Sequence, residues 1–290
     1  MDEKEKILQE VEKNVHRKEI TLNTNNYVVM ANNMILHSAS NLTLNELKLL
    51  RFIIMQTEKD DKELFQFEVT VKDLAKLLQI NHKDLYKRVD TMTTHIMQEV
   101  IRIGDDSNKK WIKFHWVDIC RYDNGKINIK ISDELKPFLI GLRGSFARYP
   151  LSEIISLKST YAIRIYEILN GYMNENNLPH ADVSTEISLS IEELRKATDT
   201  EKKFERPYDF KKKVVDIAVR EINDKSKYHV TATPYKSGKA IVGFDFLIES
   251  QAGYAHRINE NPRAIKIKND SNKQMELTDF MTSDNKFTIT

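Results

Sequence analysis

The chain has a single cysteine, no long hydrophobic run and almost no net charge. Because Cys120 stands alone among 290 residues, neither an internal disulfide nor a cysteine metal cluster can form. No apolar run reaches the roughly 18 residues of a membrane-spanning helix, and the charged segment Met1–Glu10 lacks the apolar core of a signal peptide. We therefore predict a soluble, cytoplasmic protein that has no contact with membranes.

The near-absence of net charge leaves the choice of partner open. Lys and Arg total 45 against 43 Asp and Glu, which gives a formal net charge of +2. This value neither proves nor excludes binding to a polyanion, so the distribution of charge along the chain must decide. The length and the hydrophobic content of 40% are sufficient for two domains, each with its own core.

One order of predicted elements occurs twice: a helix, a second helix, a lysine-bearing third helix and a hairpin. The first copy covers residues 27–148 and the second covers residues 149–250. This order is typical of the winged helix-turn-helix, which places one helix in a DNA groove and a hairpin beside it. We therefore predict an α+β fold of two tandem winged helix-turn-helix domains. Residues 1–26 and 251–290 are predicted as flexible tails, with a short amphipathic helix as the alternative for the first.

Capping signals and apolar spacing define the helices of the first copy. Thr43–Glu46 forms a capping box, as does Ser190–Glu193 in the second copy. The first copy has further helices over Val71–Gln79 and from Lys83 to about Gln98. The third helix has one apolar face, and its opposite face is formed by Lys83, Lys87, Asp90, Thr91 and Thr94.

The hairpin region of the first copy contains two turns. One hairpin joins Val100–Ile103 to Trp111–Val117, and Asn124–Gly125 marks a further turn. Trp111 and Trp116 would be able to stack on single-stranded bases. Their place on a hairpin strand favours partial burial in the domain core instead.

The second copy repeats the pattern. Its first helix runs from Tyr161 to about Met173, with Arg164 and Glu167 directed away from the core. Its third helix begins at an Asp209 cap and ends near Asn223. The outward face of this third helix is formed by Lys212, Lys213, Asp216, Arg220 and Asn223.

Positive charge is concentrated in the second half of each copy. Leu151–Glu201 contains 4 basic and 9 acidic side chains. In contrast, Lys202–Val242 contains 11 basic and 5 acidic side chains. This segment includes the third helix and a hairpin tip flanked by Lys236 and Lys239. In the first copy the balance changes from −1 before the third helix to +4 from that helix onward. A positive face on a nearly neutral domain attracts a polyanion, so the pattern favours DNA contact over lysines kept only for solubility.

Residue type alone does not say what these side chains contact. Lys and Arg bind guanine edges and phosphates alike. The Asn223 side chain would suit a hydrogen bond to adenine or a capping role at the end of the helix. Asp90 and Asp216 would accept a hydrogen bond from cytosine, orient an arginine or form a surface ion pair.

Several longer motifs resemble one known family. They are Val29–Ile35 and Leu42–Glu46 in the first copy, and Leu157–Leu169, Phe210–Asn223 and Gly238–Lys239 in the second. These motifs resemble the iteron-binding replication initiators of theta-replicating plasmids, which have two winged-helix domains. The resemblance covers about residues 27–250 and is more specific in the second copy.

The resemblance implies a protein that binds direct repeats of double-stranded DNA at a plasmid origin, helps to open an AT-rich region, and recruits the host initiator and replicative helicase. It also implies repression of its own gene by homodimers, which exchange with monomers through a contact in the first domain. By position, the implied DNA contacts are Lys212, Lys213, Asp216 and Arg220 for the repeats, Lys236 and Lys239 in the wing, and Lys83 and Lys87 in the first copy. Lys239 departs from the arginine common in the family, a change that a phosphate contact would survive.

Signals for catalysis are missing or have simpler explanations. No G-x-x-x-x-G-K-[ST] loop of a P-loop helicase occurs, and the eight histidines are scattered rather than paired as metal ligands of a nicking enzyme. Tyr161 and Tyr166 resemble paired nucleophiles, but their spacing to Ile165 and Leu169 favours core packing. We therefore predict no enzymatic activity, no cofactor and no metal site. A dimeric winged-helix repressor without origin function is the alternative.

Overall fold

The computed structural model describes residues 17–18, 20–37, 41–105, 109–143, 145–175 and 184–260. The chain forms two compact units, which divide between Ser156 and Leu157. Tyr149, the predicted start of the second copy, lies in strand β8 (Phe146–Pro150), which pairs with β2 (Tyr27–Ala31). This pairing joins distant parts of the first unit, and local sequence patterns do not reveal it.

The first unit contains the elements of a winged helix-turn-helix and one additional hairpin. Its other strands are β1 (Arg17–Lys18), β3 (Gln66–Thr70), β4 (Val100–Asp105), β5 (Lys110–His115), β6 (Val117–Asp123) and β7 (Lys126–Ile131). Its helices are α1 (Asn32–His37), α2 (Leu44–Ile54), α3 (Val71–Leu78), α4 (His82–Gln98), α5 (Lys136–Leu139) and α6 (Ser152–Ile155). One sheet has the strand order β1-β3-β7-β6, and β4 and β5 form a separate sheet.

Local capping explains where two of these helices begin. The Thr43 hydroxyl accepts a hydrogen bond from the N–H of Glu46, and the Glu46 carboxylate accepts one from the N–H of Thr43. The predicted capping box is therefore confirmed. Asn81 caps α4 by accepting from the N–H of Lys83 at 2.9 Å, so this helix starts at His82.

Of the two hairpins after α4, only the second belongs to the winged-helix sheet. The predicted strand Trp111–Val117 is broken at Trp116, which is buried with the Arg51 guanidinium 5.6 Å from its ring. Before the break, β4 and β5 form the isolated hairpin, on which Trp111 is 53% exposed. After it, β7 pairs with β3, and β6 and β7 turn at Asn124–Gly125, where both residues have positive φ. The burial predicted for both tryptophans holds only for Trp116.

The second unit is a winged helix-turn-helix followed by one further helix. Its elements are α7 (Thr160–Glu175), β9 (Thr185–Ser190), α8 (Ile191–Ala197), α9 (Pro207–Phe210), a π-helical turn (Lys211–Val215), α10 (Asp216–Lys225), β10 (Tyr228–Ser237), β11 (Ala240–Ser250) and α11 (Gln251–Glu260). Strand β11 lies between β10 and β9. The rings of Phe210, Phe244 and Phe246 are fully buried between the sheet and the helices.

The prediction that Arg164 and Glu167 point away from the core is wrong. They are 6% and 0% exposed. Arg164 Nε donates to the carbonyl of Ala197 at 3.0 Å, and Arg164 Nη1 lies 3.4 Å from Glu167 Oε2. Burial of these charges is tolerated because each has a partner of opposite charge or a hydrogen-bonding group. Helical spacing alone assigns a charged residue to solvent and does not anticipate such a pair.

Short described parts of both predicted tails form secondary structure or side-chain contacts. Within residues 1–26, β1 pairs with β3, and Lys18 Nζ lies 2.9 Å from Asp61 Oδ2. Beyond residue 250, α11 follows β11 directly, and Gln251 Nε2 donates to the carbonyls of Asn223 and Tyr228 at 2.8 Å each. The alternative short helix of the N-terminal segment lies outside the described residues.

Candidate nucleic-acid interface

The basic helix of the second unit consists of α9, the π-helical turn and α10, and it runs from Pro207 to Lys225. We refer to it as the 207–225 helix. Its buried face is formed by Phe210, Val214, Val215, Ala218 and Ile222. Its exposed face contains Lys212, Lys213, Asp216 and Arg220. The predicted contact residues of this helix therefore lie together on its solvent side.

The 207–225 helix begins earlier than predicted, and Asp209 does not cap it. Arg206 has the extended backbone of an N-cap residue, and Pro207 follows at the first helical position. Proline suits this position because its fixed φ is helical and its missing N–H would have no partner there. Asp209 lies in the first turn, where a carboxylate interacts favourably with the positive end of the helix dipole.

A π-helical turn changes the side-chain spacing on the exposed face. The N–H of Asp216 donates to the carbonyl of Lys211, five residues earlier instead of four. The side chains follow the same spacing, since Lys211 Nζ lies 2.7 and 3.0 Å from the two carboxylate oxygens of Asp216. Of the roles considered for Asp216, the structure shows the surface ion pair. The net positive charge of this face therefore comes from Lys212, Lys213 and Arg220.

One arginine of α8 holds the loop that precedes the 207–225 helix. The guanidinium of Arg195 donates hydrogen bonds to the carbonyls of Thr200, Lys203, Phe204 and Glu205. It also lies 4.8 Å from the ring centroid of Phe210. Lys213 Nζ lies 5.3 Å from the ring of Phe204 in this loop. Sequence analysis missed Arg195, because a side chain whose partners are backbone carbonyls leaves no residue pattern.

Asn223 has a structural role at the end of the exposed face. Its side-chain amide donates to the carbonyl of Val230 at 3.0 Å, and its side-chain oxygen accepts from the N–H of Val230 at 2.7 Å. Both polar groups are thus used to join the helix to the start of β10. This arrangement supports a structural role over adenine recognition.

The hairpin of β10 and β11 is the wing of the second unit. Lys236 and Lys239 are exposed on either side of its tip, and Gly238 has a φ of +61°, which glycine adopts without steric cost. The register of β10 against β11 shifts between Tyr235 and Lys236, just before the tip. Tyr235 faces Gly243, and its ring occupies the space that a Cβ atom on Gly243 would need.

Helix α4 is the corresponding helix of the first unit. Leu85, Val89, Met92 and Ile96 form its buried face. The predicted contact residues Lys83 and Lys87 are exposed, as is Asp90. Tyr86 and Arg88 are exposed beside them and were missed by the sequence analysis, because Tyr86 adds no charge and Arg88 lies one position from the lysine stripe. The wing that accompanies α4 is the β6–β7 hairpin.

Neither metal binding nor membrane insertion has a structural signature in the described segments between residues 17 and 260. There, no group of three or more His, Cys, Asp or Glu side chains is arranged to hold a metal ion. Within the same segments, no helix has both the length and the apolar character needed to cross a bilayer.

Family models match both units. A model described as "Initiator Replication protein, WH1" matches residues 27–170, and one described as "Initiator Rep protein, WH2" matches residues 190–248. A similar solved structure is the "Crystal structure of Pi initiator protein in complex with iteron DNA", with a TM-score of 0.63 and 18% sequence identity. The match covers 79% of this chain and 99% of that chain. The predicted fold of two tandem winged-helix domains is confirmed.

Proposed function

The chain belongs to the initiator replication protein family, and on that basis we propose that it initiates plasmid replication by binding repeated double-stranded DNA at the origin. The proposal depends above all on the exposed basic face of the 207–225 helix, which accompanies a wing with two exposed lysines. Winged-helix proteins place such a helix in the major groove of DNA. The similar Pi initiator protein was solved with iteron DNA, which supports repeated DNA as the ligand.

The proposal gives the exposed residues different tasks. Lys212, Lys213 and Arg220 contact bases and phosphates of the repeat, while Asp216 orients Lys211 through their ion pair. In the wing, Lys236 and Lys239 contact the phosphate backbone. In the first domain, Lys83 and Lys87 add further backbone contacts.

We also propose the wider activities that membership of this family implies. In the cytoplasm, the bound protein helps to open an AT-rich region, recruits the host initiator and replicative helicase, and represses its own gene as a homodimer in exchange with monomers. A second copy is the partner proposed for the β4–β5 hairpin. Val100 and Trp111 lie on one face of this hairpin and are 44% and 53% exposed, and exposed apolar side chains often mark protein contacts.

Origin function is the property that tests this proposal. A plasmid whose only replication functions are this gene and the repeats beside it is expected to replicate in a suitable host. The matched control is the same plasmid with the repeats deleted, which should be lost. Failure to replicate while the protein still represses its own promoter would instead identify a winged-helix repressor.

The wing lysines are expected to control the salt dependence of binding. Each phosphate contact releases about one counterion. The double variant Lys236→Ala with Lys239→Ala should therefore reduce the steepness of the plot of log affinity against log salt concentration by about two. The measurement is fluorescence anisotropy with a labelled direct-repeat duplex at several salt concentrations.

A matched control removes the same charge elsewhere. Lys59 and Lys62 are exposed in the loop between α2 and β3, which the proposal places outside the interface. Lys59→Ala with Lys62→Ala should leave the slope close to that of the wild type. An unchanged slope in the wing variant would remove the wing from the backbone contacts.

A further inference from the structure

Two exposed tyrosines join the helix and the wing of the first unit. Tyr86 on α4 is 58% exposed and Tyr122 on β6 is 43% exposed. Their ring centroids lie 5.8 Å apart in an edge-to-face arrangement at 82°. The hydrogen bond between the two phenol groups is the main cause that raises the pKa of Tyr122. The contact between the two rings joins α4 to the β6–β7 hairpin at the protein surface.

Each tyrosine has one hydroxyl, which is able to donate one hydrogen bond. Both side chains are exposed, so the pair presents hydroxyl donors at the surface.

The surroundings of these donors favour an anionic partner. Lys83, Lys87 and Arg88 are exposed on the same helix and lie within one turn of Tyr86. Tyrosine hydroxyls are among the donors that bind DNA phosphates, and aromatic rings bury apolar surface at low cost in conformational entropy. Asp84 and Asp123 are also exposed nearby, so basic and acidic side chains alternate around the tyrosine pair. A tyrosine hydroxyl that donates directly to one phosphate would therefore fix the position of the protein along the DNA strand.

We infer that Tyr86 and Tyr122 together form a contact to a backbone phosphate of double-stranded DNA, in which their hydroxyls donate to the phosphate and the contact between their rings holds the β6–β7 wing against α4. The inference rests on the proposed function. It adds a neutral contact to a first domain whose predicted contacts were only lysines. It also identifies β6–β7, and not β4–β5, as the hairpin of this domain that faces DNA.

Photocrosslinking tests the contact directly. The photoreactive residue p-benzoylphenylalanine is placed in the full chain at position 86, 122 or 27, and each protein is irradiated with a labelled duplex that contains the direct repeats beside the gene. Crosslinks to DNA are expected from positions 86 and 122. Position 27 is the matched control, because Tyr27 is also a 43% exposed tyrosine of the first unit and lies on β2.

Affinity for the same duplex gives the second measurement. Tyr86→Phe and Tyr122→Phe should each weaken binding by about threefold to fivefold, the effect of one lost neutral hydrogen bond, and Tyr86→Ala with Tyr122→Ala by about tenfold or more. Tyr27→Phe should bind like the wild type. A purely structural pair would lower the melting temperature of the phenylalanine variants without crosslinks at positions 86 and 122.

The outcomes separate this inference from the proposed function. The tyrosine contact alone is overturned if the wild-type protein binds the duplex but the tyrosine variants bind it with unchanged affinity. It is also overturned if the wild-type protein binds but positions 86 and 122 give no crosslinks. A wild-type protein that does not bind the repeat duplex would overturn both. Crosslinks and weaker binding at both positions would support the contact.

Discussion

Replacement of Lys213 and Arg220 by alanine in one variant is expected to weaken binding to the direct-repeat duplex by more than roughly tenfold. Both side chains lie on the exposed face of the 207–225 helix, and Lys213 is placed beside Phe204 of the loop that Arg195 holds. A charged contact to a base edge or phosphate contributes about 1–3 kcal/mol, so loss of two exceeds a factor of ten. Gel-shift titration at constant salt measures the change.

Charge-retaining variants show what kind of contact is lost. Lys213→Arg with Arg220→Lys keeps both charges, so it should retain most of the affinity if the two residues contact phosphates. If Arg220 makes a bidentate contact with guanine, lysine cannot replace it and the affinity stays low. Circular dichroism checks that each variant is folded. Unchanged affinity of the double-alanine protein would show that this helix is not the main DNA contact.

The substitution Gly243→Ala, which adds one methyl group, is expected to destabilise the second unit by about 2 kcal/mol, the usual cost of overpacking. A Cβ atom at this position would overlap the Tyr235 ring and would lie 2.5 Å from the Leu189 carbonyl oxygen. The tyrosine can move, but Leu189 belongs to β9, whose backbone is paired with β11. The strands must therefore shift, and Gly243→Ala should lower the melting temperature by about 10 °C.

Two further variants test this explanation. Gly253→Ala in α11 is the matched control, because its Cβ would meet only the Ser250 hydroxyl, at 3.1 Å, and alanine favours a helix. Its melting temperature should equal or exceed that of the wild type. Tyr235→Ala with Gly243→Ala removes the ring overlap but leaves the one with Leu189. Full recovery in this double variant would show that β9 accommodates the methyl group.

Interactions between residues close in the chain were predictable. The capping boxes of Thr43–Glu46 and Ser190–Glu193 join residues three positions apart, and the structure contains both. The exposed basic faces of α4 and the 207–225 helix follow from helical spacing in the same way. Asp216 is a partial exception, because the π-helical turn makes it a partner of Lys211 at a spacing of five residues.

Interactions between distant residues were not predictable in this way. The sequence offered two hairpins after α4, and the pairing of β3 with β7, Phe67 with Ile129, decides that the second is the wing. Arg164 and Glu167 were expected at the surface, yet contact with the Ala197 carbonyl makes their burial possible. Each case depends on a partner whose position along the chain no local pattern specifies.

The sequence by itself determined the elements of the two winged helices, their order and the side on which positive charge is concentrated, because helix caps, apolar spacing and charge are local properties. The tertiary structure alone decided which hairpin accompanies α4, which charged groups are buried, and that Tyr86 and Tyr122 meet. These features depend on strand pairing and packing between segments far apart in the chain. The physical reason is that the energy of such contacts arises only when the fold brings both partners together.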